Sequence, residues 1–163
     1  TGKYTEDSPH DCDDFYGKSK SLGEPDDEFD NCMTLRTSII GNEIYGGHSL
    51  VSWAEGNKGQ GVHGFTNHLW NGITTGQYGE CCAKIIKFGM FQSGLFHIFS
   101  PSDVTKAQLL RMISEQKQLG LHVLDTQAGV SIDRTLRTTK GLCASLNIPE
   151  LDYQIANLLG GKK

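Results

Sequence analysis

Cysteines are the residues of this chain whose type and spacing bear most directly on chemistry. The 163 residues contain five of them: Cys12, Cys32, Cys81, Cys82 and Cys143. Because their number is odd, at least one thiol has no disulfide partner within a monomer. The state of that thiol separates three classes of protein, namely a disulfide-stabilised binding protein, a dimer linked through a cysteine, and a cysteine-dependent enzyme.

Two disulfides are the leading expectation for these cysteines. Adjacent Cys81 and Cys82 rarely bond each other, because the ring that they would close strains the peptide, so each is expected to have a different partner. In one arrangement Cys143 bonds one of the two, and Cys12 or Cys32 bonds the other. In another, a Cys12–Cys32 disulfide closes the loop between them, which would stabilise the fold by about 3 kcal/mol.

A nucleophilic cysteine is the alternative interpretation. The backbone N–H groups and the dipole at a helix N-terminus stabilise a thiolate. The sequence Tyr-Gly-Glu-Cys-Cys-Ala at residues 78–83 places both cysteines after a glycine turn, at the start of a segment that fits a helix. Over these six residues the chain resembles the nucleophile turn of papain-like amidases and transglutaminase-like enzymes.

That resemblance implies a histidine base and an acidic residue that orients it, both downstream of the nucleophile. His122 and Asp125 lie in one expected strand and His97 in another, so the candidate catalytic set is Cys82, His122 and Asp125, with Cys81 and His97 as substitutes. The interval from Cys82 to His97 has room for only one short element, which argues against such a site.

Trp70, His68 and His63 are the candidate binding residues. Trp70 lies beside the turn dipeptide Asn71-Gly72, and an exposed Trp on a rigid loop is a typical binding anchor; the alternative is a Trp buried under its own loop. The histidines do not have the spacing of zinc ligands. Neither the acidic run at residues 10–14 nor that at 26–28 matches a calcium loop, so no metal and no cofactor is predicted.

Charge is divided unevenly along the chain. Residues 1–30 carry a net charge of −7, whereas the whole chain carries −4, so the remainder is mildly basic and could dock this acidic segment. The scattered basic residues argue against a nucleic-acid partner. No apolar run is long enough for a transmembrane helix. The cysteines and the Thr1 start favour a processed, secreted protein.

Hydrophobic patterning predicts a set of short elements. Residues 81–88 fit a strand or a helix, and a helix is expected over 101–119 with its cap at Ser100. A final helix begins near Pro149 and ends at Gly160. The expected strands are 33–40, 49–53, 94–99, 121–125 and 130–137. A βαβ unit would make the strands at 94–99 and 121–125 parallel neighbours.

The predicted fold is α+β. It is a single compact domain with a mixed or antiparallel sheet of four or five strands, two or three helices packed on one face, glycine-rich loops and two disulfides. Residues 31–163 form this domain, and residues 1–30 form an acidic N-terminal segment tethered by Cys12 and Cys32.

The predicted function is that of a secreted interaction protein, a toxin or virulence effector that recognises a protein or cell-surface receptor without catalysis. The chain has no P-loop, no His-Glu-x-x-His and no Gly-x-Ser-x-Gly motif. Two alternatives stay open. One is the cysteine-dependent amidase or acyltransferase. The other is a self-assembling structural protein, a homo-oligomer joined by an intersubunit disulfide through the odd cysteine.

Overall fold

The computed structural model describes residues 2–25 and 31–160. The helices within them are α1 (Phe15–Leu22), α2 (Leu50–Gly56), α3 (Thr75–Lys87), α4 (Lys106–Gln116), α5 (Leu142–Ser145) and α6 (Leu151–Leu159). The strands are β1 (Met33–Arg36), β2 (Ile39–Ile40), β3 (Gly61–Phe65), β4 (His68–Trp70), β5 (Ile73–Thr74), β6 (Gly94–His97), β7 (Val104–Thr105), β8 (His122–Thr126) and β9 (Ile132–Asp133). The acidic run at 26–28 lies outside the described residues.

Most strand pairs are parallel, and their partners are distant in the sequence. β1 pairs with β6, β2 with β5, and β3 with β8, each in parallel. β4 is the middle strand of a three-stranded sheet, antiparallel to β7 and parallel to β9. Parallel strands need a long crossover connection, and the intervening helices supply it here.

The predicted fold class is wrong in its sheet, its helices and its disulfides. Four small sheets take the place of one sheet of four or five strands, and the described residues form six helices where two or three were expected. All five cysteines are free thiols. The strands expected as parallel neighbours at 94–99 and 121–125 have other partners, since β6 pairs with β1 and β8 pairs with β3. The pattern of apolar residues locates a strand but does not identify the strand with which it pairs.

Two hydrophobic clusters form the core. The first joins α2, α4 and α6, and Leu110, Ile113 and Ile155 are completely buried in it. The second joins α3, β6 and α5 and includes Ile85 and Phe96. The Trp-containing strand β4 packs on the first cluster, so the position of that strand depends on the packing of α4.

Glu6 attaches the acidic N-terminal segment to the rest of the chain. Its carboxylate accepts hydrogen bonds from the backbone N–H groups of His97 and Thr139 and from the Thr138 hydroxyl. Burial raises the pKa of Glu6, but these hydrogen bonds to the ionised form outweigh that effect and lower the pKa from 4.5 to about 2. The segment is therefore docked by a carboxylate and without a disulfide.

Arg36 provides a second attachment. Its Nε donates to Glu24 Oε1 at 2.9 Å and its Nη2 to Glu24 Oε2 at 2.7 Å. Such a bidentate pair fixes orientation as well as distance, and the hydrogen bonds from Arg36 lower the pKa of Glu24. Because Glu24 follows α1 and Arg36 ends β1, this pair joins the N-terminal segment to the end of a parallel strand.

Local capping explains why a segment expected to be a strand is a helix in the structure. Residues 49–53, expected as a strand, enter helix α2, because the Ser49 hydroxyl accepts the backbone N–H of Ser52. The strand expected at 121–125 is confirmed as β8, whereas residues 33–40, expected as one strand, form two short strands, β1 and β2, in different sheets. The final helix is confirmed as α6, with Gly160 at its C-cap.

Candidate functional site

A cavity of about 470 Å³ opens between β2, β4, β9 and the first turns of α2 and α4. We call it the Trp70 pocket. Its polar lining residues include His68, Lys106 and Arg134, and no acidic residue lines it within 2–25 and 31–160. Its aliphatic walls come from Ile39, Ile40, Leu50, Leu69, Leu109 and Ile132. The cavity therefore combines apolar walls with positive charge.

Trp70 is fixed in the wall of this pocket by a hydrogen bond and by a glycine. Its indole Nε1–H donates to Ser38 Oγ at 2.6 Å, and the half-buried ring packs against the first hydrophobic cluster. A Cβ at Gly72 would overlap the carbonyl oxygen of Ser38 and the indole ring, so only glycine fits beside this Trp. The indole is thus held rigidly, with part of its surface open to the cavity.

Lys106 and Arg134 reach the pocket from two different elements. Lys106 is the first residue of α4, and its Nζ lies 5.6 Å from the centroid of the Phe65 ring. Arg134 follows β9, and its backbone N–H donates to the carbonyl of Leu69 at 3.0 Å. None of the ion pairs found among the described residues involves either side chain. Both cations are therefore available to a ligand.

The two histidines predicted as binding residues lie in different places. His68 is on β4 and lines the Trp70 pocket, where its Nε2 donates to the carbonyl of Val130 at 3.2 Å. His63 is on β3, exposed, with Nδ1 2.9 Å from the Thr126 hydroxyl. The structure brings His68 and Trp70 together in one cavity and places His63 outside its lining.

Cys81 and Cys82 occupy the middle of α3. The helix begins at Thr75, so both thiols lie beyond its first turn. The helix dipole lowers a thiol pKa only within that first turn, so it does not activate either cysteine. Cys81 is completely buried, and burial raises the pKa of its thiol. The pKa of Tyr78 is raised, mainly by burial and then by the neighbouring Cys82. The Tyr78 hydroxyl forms a hydrogen bond with the Cys82 sulfur.

His122 and Asp125 lie on β8, three positions apart. Because side chains alternate along a strand, residues three apart point to opposite faces. The Asp125 carboxylate pairs with Arg111 Nη2 at 2.7 Å. In the part of the chain that the structure describes, no hydrogen bond joins Cys82, His122 and Asp125.

Tyr16 and Lys20 are chemistry-bearing residues that the sequence reasoning overlooked. They are four positions apart on α1, which places them on one face, and the Lys20 Nζ lies 5.4 Å from the centroid of the Tyr16 ring. No residue of α1 is buried, and Tyr16 is 74% exposed. The i, i+4 spacing of a phenol and an ammonium was the signal available in the sequence.

A Gly-x-Gly-x-x-Gly sequence lies at residues 59–64, so the expectation that the chain lacks this motif is wrong. In a dinucleotide-binding fold such glycines follow a strand and open a helix, whose N-terminus holds the pyrophosphate. Here Gly59 has a φ of +74° in a turn, and Gly61 begins β3. Gly64 packs against Ala107 and Val123. These glycines therefore form a turn and a closely packed strand, and they do not open a helix as they would in a dinucleotide-binding motif.

Solved structures of NAD(P)-dependent sugar-nucleotide enzymes share this architecture. A dTDP-4-dehydrorhamnose reductase from Clostridium acetobutylicum matches 97% of this chain with 15% identity and a TM-score of 0.74. The NADP complex of the same kind of reductase from Bacillus anthracis matches 96% with 14% identity and a TM-score of 0.74. A UDP-glucose 4-epimerase from Thermotoga maritima, solved with UDP-glucose, matches 78% with 16% identity and a TM-score of 0.53.

This chain spans only part of each of those proteins. It covers 59% of the Clostridium reductase, 58% of the Bacillus reductase and 44% of the Thermotoga epimerase. No family model and no curated protein sequence matches the chain. The likeness defines the fold, which is the Rossmann-like fold of NAD(P)-binding reductases and epimerases with its parallel strands.

The predicted function and location are wrong. A secreted toxin or effector was inferred from a disulfide framework, but the five cysteines are free thiols and the fold is that of sugar-nucleotide reductases. Nothing in the fold supports secretion or virulence. None of the described helices has the length and apolar character needed to cross a membrane.

Proposed function

We propose that this chain is the sugar-nucleotide-binding part of an NAD(P)-dependent oxidoreductase and that the Trp70 pocket holds the nucleotide sugar. The main observation behind this proposal is that one cavity is lined by the Trp70 indole and by two cationic side chains, Lys106 and Arg134. Neither cation forms an ion pair with a carboxylate among the described residues. The fold adds support, because the Thermotoga epimerase is described with UDP-glucose and the Bacillus reductase with NADP.

The chemistry of a nucleoside diphosphate sugar fits this lining. Its diphosphate carries two negative charges, which Lys106 and Arg134 would neutralise in a cavity whose described lining contains no carboxylate. Its base and its sugar each present a flat or apolar face, which the Trp70 indole and the aliphatic walls would cover. A volume of about 470 Å³ is in the range of small-molecule sites.

Tyr16, which does not line the Trp70 pocket, would take a proton-transfer role in such a reaction. Reduction of a keto group by a nicotinamide places a hydride on carbon and requires a proton on oxygen. A tyrosine hydroxyl is one of the groups that serve as a general acid. The Lys20 ammonium lies one helical turn away, with its Nζ 5.4 Å from the centroid of the Tyr16 ring.

Tryptophan fluorescence provides a direct binding test. The chain has two tryptophans, so a Trp53→Phe background leaves Trp70 as the only indole. Titration with UDP-glucose should change the Trp70 emission and give a saturable curve. Lys106→Gln and Arg134→Gln should each weaken binding roughly 10-fold or more, because hydrogen bonds to charged groups are worth about 1.5–3 kcal/mol.

Matched controls separate a specific site from general charge attraction. Lys117→Gln and Arg111→Gln remove the same charges from residues that pair with Glu55 and Asp125 outside the pocket, and both should bind UDP-glucose like the parent. Equal weakening in all four variants would indicate nonspecific attraction. The absence of any saturable Trp70 signal, confirmed by calorimetry, would reject the proposed function.

A further inference from the structure

The loop between β2 and α2 borders the Trp70 pocket at both of its ends. Gly41, at its beginning, and Ser49, at its end, both line the cavity. Between them Ile44 is 86% exposed and Tyr45 is 91% exposed. Two adjacent large side chains are thus exposed to water on a loop whose two ends line the cavity that contains the Trp70 indole.

This loop has a hydrogen-bonded base and a tip that contains two glycines. The Glu43 carboxylate accepts the backbone N–H of Ser49 at 2.8 Å and the Ser52 hydroxyl at 3.3 Å, which ties the base to the start of α2. Gly46 and Gly47 follow Tyr45 with φ values of +107° and +70°, a region that glycine enters without strain. The tip therefore changes its backbone direction at a low energetic cost while its base stays attached.

We propose that Tyr45 folds over the Trp70 pocket and stacks on the base of a bound nucleotide. This inference rests on the proposed function and specifies which part of the ligand the loop recognises. Lys106 and Arg134 would hold the diphosphate, and the Tyr45 ring, carried by a loop whose two ends line the same cavity, would close over the base. A tyrosine suits this role because its ring is flat, amphipathic and limited to two side-chain torsions.

Nucleotide affinity in Tyr45 variants tests this role. Tyr45→Ala should bind UDP-glucose roughly 5- to 100-fold more weakly, the range expected for loss of one base–aromatic stack. Tyr45→Phe keeps the ring and should restore most of the affinity, whereas Tyr45→Leu should not. Inorganic pyrophosphate has no base, so its binding should be the same in Tyr45→Ala and in the parent.

The control is Tyr153→Ala, since Tyr153 is 60% exposed on α6 and does not line the pocket. Parent-like UDP-glucose affinity in Tyr45→Ala, together with weakened binding in Lys106→Gln, would overturn the role of Tyr45 and leave the proposed function standing. Equal affinity in Tyr45→Leu and Tyr45→Phe would overturn stacking. Failure of the parent itself to bind UDP-glucose would reject the proposed function and the role of Tyr45 with it.

Discussion

His97 is held in its neutral form by partners on both ring nitrogens. Its Nδ1–H donates to the carbonyl of Arg137 at 2.8 Å, so Nε2 keeps the lone pair that accepts from Arg36 Nη1 at 3.2 Å. The ring is completely buried, and burial lowers its pKa below 6.5, although the Arg137 carbonyl and the Glu6 charge act in the opposite direction. Protonation would remove the acceptor and set two cations against each other.

Stability should therefore fall as the pH decreases from 7 to 5. The unfolded chain binds a proton near pH 6.5 and the folded protein only at lower pH, so protons favour unfolding through this window. Urea unfolding at each pH measures the slope. His97→Asn retains a donor for the Arg137 carbonyl but cannot titrate, so the slope of this variant should flatten.

The control for this experiment is His122→Asn, because His122 is exposed on β8. The slope of that variant should stay parental. Glu6 contributes in a different range, since its stabilising charge is lost only as the pH falls from 4.5 towards about 2. A parental slope in His97→Asn between pH 7 and 5 would show that another group is responsible.

Among the elements, α4 shows what the sequence predicts well and where it stops. The spacing of Leu109, Leu110 and Ile113 identified a helix and its buried face, and the structure confirms both. The start was misplaced, because Ser100-Pro101 offers a good cap in isolation. In the fold Ser100 is buried and accepts a hydrogen bond from Gln154 Nε2 at 2.7 Å, a contact that only the tertiary structure provides.

The same limit applies to the candidate site. Trp70 and His68 were recognised as binding candidates because they stand beside a turn in an aromatic stretch. Lys106 and Arg134 were not, since a single cation in a sequence has no distinguishing local signal. They meet only because β4 pairs with β9 and contacts α4, and pairing partners cannot be read from periodicity.

Thr105 is the true N-cap of α4, and its loss should destabilise the protein. The Thr105 hydroxyl accepts the N–H of Gln108 at 3.1 Å, and the Gln108 side chain accepts the N–H of Thr105 at 2.7 Å. Thr105→Ala should lower the free energy of unfolding by about 1 kcal/mol, and Thr105→Ser should recover most of it. Urea unfolding measures both.

Ser102→Ala is the matched control for that test, because Ser102 is exposed within the region first expected to cap the helix. Its free energy of unfolding should stay within about 0.5 kcal/mol of the parent. A larger loss in Ser102→Ala than in Thr105→Ala would place the functional cap at the earlier position.

At the scale of the whole molecule, the strand pairing leaves the outer edge of β1 open among the described residues. The backbone carbonyl of Cys32 accepts a hydrogen bond from the N–H of Gly94, and the carbonyl of Arg36 accepts one from the N–H of Ile98. Alternate residues of β1 therefore direct their backbone N–H and C=O groups towards β6. Met33 and Leu35 direct their N–H and C=O groups to the other edge, where none of the strands in 2–25 and 31–160 pairs with them. An open strand edge presents unpaired N–H and C=O groups that can pair with another strand, and this chain spans only 59% of the Clostridium reductase.

Amide hydrogen exchange should reveal this edge in the isolated chain. The amides of Met33 and Leu35 should exchange at least about 10-fold faster than those of Thr34 and Arg36, because only the latter two are bonded into the pair with β6. Two-dimensional NMR resolves the alternation residue by residue. Equal protection of all four amides would mean that another strand covers the edge. Repeating the measurement at lower protein concentration would then identify the covering strand, since protection supplied by a second copy is lost on dilution and protection from within the chain is not.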